Sequence, residues 1–184
     1  MRKRLTRYVT IAAAVCTIAV PLAAQKITDM GTGGGGSPHV KAEWTVDGAA
    51  IAVEYGRPFL KGRAEAQMMP AGQPWRTGAD QATVITSNKP LTFGSMKLEA
   101  NTPYTINTVP GEKQWQILFG KLEKPGQWGV GYRQDLELGK APMQVGKAAK
   151  PAEQVTISID DTAAGATLRV EWGTVSATVP FKVG

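Results

Sequence analysis

The chain has 184 residues, of which 20% are charged and 42% hydrophobic, and a formal net charge of +6 at pH 7. This length fits one domain with or without a tail, and the composition excludes a largely disordered chain. The excess of basic residues alone would favour a nucleic-acid or membrane-surface partner. Whether this interpretation holds depends on where these residues lie along the chain.

Residues 1–24 have the pattern of a secretory signal peptide. Four basic residues lie among the first seven, an apolar run follows from Val9 to Val20, and Ala23 and Ala24 precede the expected cleavage point. The run is shorter than the ~20 residues that span a bilayer, which favours cleavage over a retained anchor. We therefore predict export to the periplasm or the cell exterior, with membrane contact only through this segment before cleavage.

Cleavage would change the charge and the chemistry of the domain. The four basic residues would leave with the segment, and the formal net charge would fall from +6 to about +2. A domain so close to neutrality lacks the electrostatic footprint of a nucleic-acid-binding protein, so no nucleic-acid partner is predicted. Cys16, the one cysteine, would also leave, which excludes an intramolecular disulfide in the exported domain.

Residues 25–36 are predicted to form a flexible linker, because they contain the glycine-rich run GTGGGG. Such a run cradles a phosphate when a strand precedes it and a helix with a Lys-Ser/Thr pair follows, and the sequence does not indicate these features. One domain is predicted to follow, over residues 37–184.

This domain is predicted to be all-β, a single antiparallel β-sandwich of jelly-roll-like type. Apolar and polar residues alternate from Ala42 to Val46, and Asp47-Gly48 favours a hairpin before the alternation resumes at Ile51. Further strands are predicted at Ala82–Ser87, Leu91–Phe93, Met96–Leu98, Tyr104–Thr108, Trp115–Phe119, Val155–Asp160, Ala166–Trp172 and Val175–Val183. Short alternating strands between Gly/Pro turns are typical of a sandwich. Residues 139–152, rich in Lys, Ala and Pro, are predicted to form a surface loop.

Two loops interrupt the strand pattern with charged and aromatic residues. They are YGRPFLKGR at Tyr55–Arg63 and PAGQPWRTGADQAT at Pro70–Thr83. Arginine presents a planar fork for carboxylate or phosphate, and tryptophan provides a stacking wall. The candidate ligand-binding residues are Arg57, Lys61, Arg63, Trp75, Arg76, Thr77 and Asp80. Trp128 is the second tryptophan predicted to lie outside the core.

The sequence leaves two interpretations of this cluster open. Converging side chains would form a pocket for a small anionic, glycan or peptide ligand, whereas arginines paired with Asp80 or Glu54 would brace the two loops. We rank a non-catalytic extracytoplasmic binding domain first and a structural or partner-binding envelope protein second. A hydrolase that uses Asp80 and Lys61 is the third hypothesis.

The same segments resemble the bacterial DUF2911 family. The similar strings are YGRPFLKGR at Tyr55–Arg63, PWRTGADQAT at Pro74–Thr83, LEANTPYTINTVPG at Leu98–Gly111 and LRVEWGTVSATVPF at Leu168–Phe181. The resemblance runs from about Ser37 to the end of the chain, and it implies an exported, mainly β-sandwich domain of unknown function without an established catalytic residue. The family usually has Asn at the position of Asp80, so the aspartate here favours an ion pair with a nearby arginine.

Common catalytic and metal sites are not predicted. The one histidine, His39, borders the glycine run, and no thiol remains after cleavage, so catalytic triads and zinc sites lack their side chains. Asp160-Asp161 precedes Thr-Ala-Ala-Gly, which lacks the further carboxylates of a calcium loop. We therefore assign no catalytic residue, metal or cofactor, and the oligomeric state stays open.

Overall fold

A computed structural model describes residues 25–126, 131–162 and 165–184. The predicted signal peptide, residues 1–24, and Trp128 lie outside the described residues. Within the described ranges, no helix has both the length and the apolar character that a membrane crossing requires.

Antiparallel strands form almost all of the regular structure. They are β1 (Lys26–Thr32), β2 (Pro38–Val46), β3 (Ala49–Gly56), β4 (Thr83–Ser87), β5 (Leu91–Phe93), β6 (Met96–Leu98), β7 (Tyr104–Val109), β8 (Gln114–Lys121), β9 (Glu137–Thr162) and β10 (Gly165–Val183). The helical elements are short, one turn of α-helix, α1 (Glu65–Met68), and one 3-10 turn (Gln134–Leu136). The prediction of an all-β fold is confirmed.

The strands hydrogen-bond in the order β1-β2-β3-β4-β7-β8-β9-β10-β5-β6. This order follows the chain except at the β5–β6 hairpin, which pairs with β10 instead of β4. The long strands β9 and β10 pair with each other, and their register shifts on either side of Gly173. Such irregularities bend a strand, and the sheet folds over itself into a sandwich-like arrangement of two layers.

The two layers share one hydrophobic core. Alternate residues of β2 and β3 face inward and pack with those of β9 and β10 in a single cluster, as the period of a strand requires. Trp44, Trp115 and Trp172, the three tryptophans predicted to lie in the core, are all buried.

Two segments differ from the sequence prediction. Residues 139–152 belong to β9 rather than to a surface loop, because Ala141 and Met143 are buried while their neighbours pair with β8 and β10. Within the predicted linker, Lys26–Thr32 form a strand that pairs with β2. The glycines that follow make a tight turn, in which the Gly33 N–H donates to the Ser37 carbonyl at 2.9 Å.

Candidate functional site

The two predicted loops border one groove on the surface of the domain. The groove has a volume of about 500 Å³ and is also lined by Gly35, Gly36 and Ser37 of the glycine turn, residues 33–37. Four of the seven predicted residues line it, namely Lys61, Arg63, Trp75 and Asp80. The other three, Arg57, Arg76 and Thr77, are not part of its lining.

Arg57 attaches its loop to β9. Its Nε donates to the Val155 carbonyl at 2.9 Å, and its second guanidinium nitrogen donates to Thr156 Oγ1 at 3.1 Å. The Gln154 side-chain amide donates in return to the Arg57 carbonyl at 3.2 Å. Two donors of Arg57 therefore bind β9, and their partners are neutral oxygens rather than the carboxylate that the bracing interpretation proposed.

Arg76 and Thr77 fix the second loop. The Thr77 side chain is buried, and its hydroxyl donates to Thr108 Oγ1 at 3.1 Å. A guanidinium nitrogen of Arg76 donates to the Asp80 carbonyl at 2.7 Å. Thr77 and Asp80 adopt φ values of 58° and 65°, a region that non-glycine residues seldom occupy. These hydrogen bonds therefore hold the loop in an uncommon backbone conformation.

The Asp80 carboxylate is bound by the glycine turn. The Gly35 N–H lies 3.0 Å from Oδ1, and the Ser37 N–H lies 3.3 Å from Oδ2. A Cβ on Gly33 or Gly35 would come within 2.1 Å of these oxygens, so the turn requires glycine to receive the carboxylate. Asp80 thus has a different partner from the predicted arginine, because successive backbone N–H groups form a concavity that accepts an anion.

Lys61 and Arg63 stay exposed on the wall of the groove. The Lys61 ammonium lies 5.9 Å from the centre of the Phe59 ring. The Arg63 guanidinium donates to the Leu60 carbonyl at 3.0 Å and to the Phe59 carbonyl at 2.5 Å. Within the described part of the chain, neither cation forms an ion pair. Among the described residues, the groove wall therefore carries two cationic side chains without an ion pair, although the Asp80 carboxylate belongs to the same lining and the Glu153 carboxylate accepts the Lys61 backbone N–H at 2.7 Å.

Trp75 forms a rigid part of the groove wall. Its ring stacks on that of Trp172, with the ring centres 5.5 Å apart and an interplanar angle of 15°. The Trp75 backbone exchanges two hydrogen bonds with Thr108, of 2.7 and 2.8 Å. Trp172 is buried and donates its indole N–H to the Glu153 carbonyl at 3.3 Å. The indole of Trp75 is thus held in place before any ligand arrives.

His39 is the residue beside the groove that sequence reasoning missed. It pairs with Gly56 in the β2–β3 ladder, its side chain is only 6% exposed, and Nδ1 has no hydrogen-bond partner among the described residues. Burial lowers the pKa of His39, while the carboxylates of Glu54 and Asp80 counteract part of this effect. The alternation of β2 puts His39 on the face of Lys41 and Glu43, so the sequence pattern contained no signal for its burial.

The part of the chain that the structure describes contains no group of three or more His, Cys, Asp or Glu side chains that could hold a metal ion. The chemistry that the groove offers is therefore that of its two cations, its fixed indole and the hydrogen-bonded Asp80 carboxylate.

Comparison with known proteins identifies the family. Residues 37–181 match DUF2911, a family described as proteins of unknown function. No curated protein and no solved structure matches the chain. The matched residues run from the start of β2 through most of β10 and include both loops of the groove. In agreement with the resemblance of its loop motifs, the chain belongs to the DUF2911 family.

Proposed function

We propose that this protein is an exported, non-catalytic binding domain that takes a small anionic ligand in the groove. The observation that carries the proposal is the pair of cations on the groove wall, Lys61 and Arg63, which have no acidic partner within the described ranges. Asp80 is the one acidic residue of the lining, and its carboxylate already accepts two backbone N–H groups. The groove therefore favours negative charge.

The size and the aromatic wall narrow the class of ligand. A volume of about 500 Å³ lies within the roughly 300–1,000 Å³ of small-molecule sites. The fixed ring of Trp75 offers an apolar surface on which a sugar or another flat molecule packs. Arg63 retains guanidinium donors beyond its two bonds to loop carbonyls. An acidic monosaccharide has a ring that can pack on Trp75 and a carboxylate that can bind the Arg63 guanidinium.

Export is the second component of the proposal. The basic start, the apolar run and the small residues before position 25 support it. An exported domain meets the carboxylated and phosphorylated glycans outside the cytoplasm, which agrees with a groove for an acidic sugar.

The proposal is tested by titrating the purified protein with glucuronate and, as the uncharged match, glucose. We expect glucuronate to raise the melting temperature, because a ligand that binds only the native state stabilises it, and glucose to have little effect. Lys61→Asn is the informative variant, since Lys61 has a φ of 50° and Asn tolerates this region. The variant should raise the Kd for glucuronate about tenfold, which corresponds to ~1.4 kcal/mol.

Lys182→Asn is the matched control, because Lys182 is exposed on β10 and lies outside the groove lining. It should leave the Kd unchanged. If both variants lose the same affinity for glucuronate, the effect reflects the net charge of the protein rather than a contact in the groove. A wild-type protein that binds no acidic sugar would contradict the proposal.

Partner binding at the sheet edge is a second candidate function. β1 is an edge strand of the described sheet, and Ile27 and Met30 on it are 50% and 51% exposed. An open edge with apolar side chains can recruit a strand of another protein. The two candidates are distinguishable, because Lys61→Asn should not affect binding at β1.

A further inference from the structure

Arg76, one of the predicted ligand-binding residues, lines a second and narrower cavity. This cavity lies over β7 and β8 and is bordered on its other side by residues 131–137. It shares no lining residue with the groove. Its volume of about 30 Å³ is much smaller than that of the groove, so it favours a small acid over a sugar.

Arg76 lines this cavity, and its guanidinium has spare donors. Arg76 is half-buried, and within the described ranges its side chain makes a single hydrogen bond, to the Asp80 carbonyl. A guanidinium carries five N–H groups, so most of them remain available. A partly buried cation is costly when no anion accompanies it, which makes this position favourable for a negatively charged group.

The carboxylates of the same lining have other partners. Glu137 accepts a hydrogen bond from the Tyr132 hydroxyl, and it raises the pKa of that hydroxyl. Glu123 pairs with Arg133, with 3.2 Å between the charged atoms. Neither acidic side chain forms an ion pair with Arg76. Among the described residues, Arg76 thus has no ion-pair partner although two carboxylates line the same cavity.

The walls of the cavity combine apolar surface with a few polar groups, as is typical of small-molecule sites. Leu118 is only 4% exposed, but it lies outside the hydrophobic core cluster. Its neighbours Ile117 and Phe119 belong to that cluster. Gly120 allows Thr105 and the Leu136 backbone to approach β8 closely, because a Cβ there would come within 2.7 Å of Thr105 Oγ1 and 3.1 Å of the Leu136 carbonyl.

We propose that this cavity is a second binding site, which takes the carboxylate of a short-chain acid such as acetate or propionate on Arg76. The planar fork of a guanidinium matches the two oxygens of a carboxylate. The short alkyl part of such an acid suits the apolar wall beside Leu118. This site is independent of the proposed function of the groove, because the two sets of lining residues do not overlap.

The test is an NMR titration of the ¹⁵N-labelled full chain with sodium propionate, at constant ionic strength maintained with sodium chloride. Saturable shifts are expected at the backbone amides of Thr105, Asn107 and Gly120, which belong to the cavity lining. The amides of Gly35 and Gly36, which line the groove, should not shift. Shifts at the groove amides alone, or no saturable shift, would overturn the inference.

Two variants assign the site. Arg76→Gln should raise the Kd for propionate at least tenfold, but it also removes the hydrogen bond to the Asp80 carbonyl. Ala82→Leu is the second variant, because it adds a bulky side chain to the lining and keeps Arg76. It should raise the Kd to a similar extent.

Lys61→Asn is the control that separates the two sites, and it should leave the Kd for propionate unchanged. If Lys61→Asn abolishes propionate binding while Ala82→Leu retains it, the acid binds in the groove and the inference is wrong. Failure of propionate to bind the cavity would not affect the proposal for the groove, which depends on glucuronate and Lys61.

Discussion

The two loops around the groove place similar side chains in two different situations. On the braced side, Arg57, Thr77 and Asp80 direct their polar groups to other parts of the protein. On the open side, Lys61 and Arg63 keep their charges exposed on the groove wall. The contrast teaches that a charged loop residue supports the fold where it binds the backbone of another segment, as Arg57 and Asp80 do. The charged residues that stay exposed, Lys61 and Arg63, are the candidates for ligand binding.

The backbone explains why the two sides differ. The second half of β9 is not paired with β8, so its Val155 carbonyl is available to the Arg57 guanidinium, and such groups are rarely left without a partner. Lys61 and Gly62 have φ values of 50° and 70°, so the chain reverses at the tip of the loop. The Lys61 backbone N–H donates to the Glu153 carboxylate of β9 at 2.7 Å, while the Lys61 residue itself stays exposed.

The largest expected loss of stability comes from forcing apart Gly56, at the end of β3, and the loop that contains Ala79. Gly56 is buried, and a Cβ there would meet the Ala79 carbonyl at 2.2 Å. Because this contact is with backbone, Gly56→Ala requires the loop to move, and we expect a loss of roughly 1–3 kcal/mol in the free energy of unfolding. Urea denaturation measures this loss.

Gly146→Ala is the matched control for Gly56→Ala. Gly146 also lies in a strand, but it is exposed and has no atom within 4 Å of an added Cβ. Its substitution should change the free energy of unfolding by less than about 0.5 kcal/mol. Similar losses in both variants would mean that the braced loop contributes no special stability.

A smaller effect is expected from comparing the arginines of the two sides. Arg57→Met keeps the apolar stem but removes the donors to Val155 and Thr156, and should cost about 1–2 kcal/mol of unfolding free energy. Arg63→Met removes only exposed bonds within its own loop, and should cost less than about 0.5 kcal/mol. Thermal and urea denaturation of the pair measures the difference, and equal costs would contradict the division into two sides.

Much of the fold could be predicted because alternation with period two is local information. Val155 to Asp160 alternates clearly, and it lies within β9. Residues 139–152 belong to the same strand, but small and lysine side chains on both faces hide the alternation there. The glycine run was predicted to be a linker, whereas it forms a tight turn whose contact with Asp80 spans 45 residues of sequence from Gly35 and is not visible locally.

The sequence predicted which types of residue occur in the candidate site, but it did not predict which groups each of them contacts. Arg57 and Arg63 occur in the same nine-residue string, and sequence alone gives them equal roles. The carbonyl that binds Arg57 lies 98 residues further along the chain, so only the tertiary structure separates an arginine that joins two segments from one, Arg63, that binds its own loop. Arg76 follows Trp75 directly, yet the two side chains line different cavities, because successive residues of an extended chain face opposite ways.

The smallest expected effect concerns pH and His39, on the braced side. Burial lowers the pKa of His39 below its ordinary value of 6.5, although Glu54 and Asp80 face it. The unfolded chain therefore binds a proton at a higher pH than the folded one, and His39's contribution to stability, complete above pH 6.5, is lost as the pH falls through the folded pKa. Between pH 7 and pH 5, wild type should thus lose more stability than His39→Gln, as measured by urea midpoints. The two proteins are compared by the slope of their unfolding free energy against pH, so any effect of the substitution that does not depend on pH cancels. Equal slopes would mean that His39 takes up protons as readily in the folded domain as in the unfolded chain, and that the braced side does not exclude water from it.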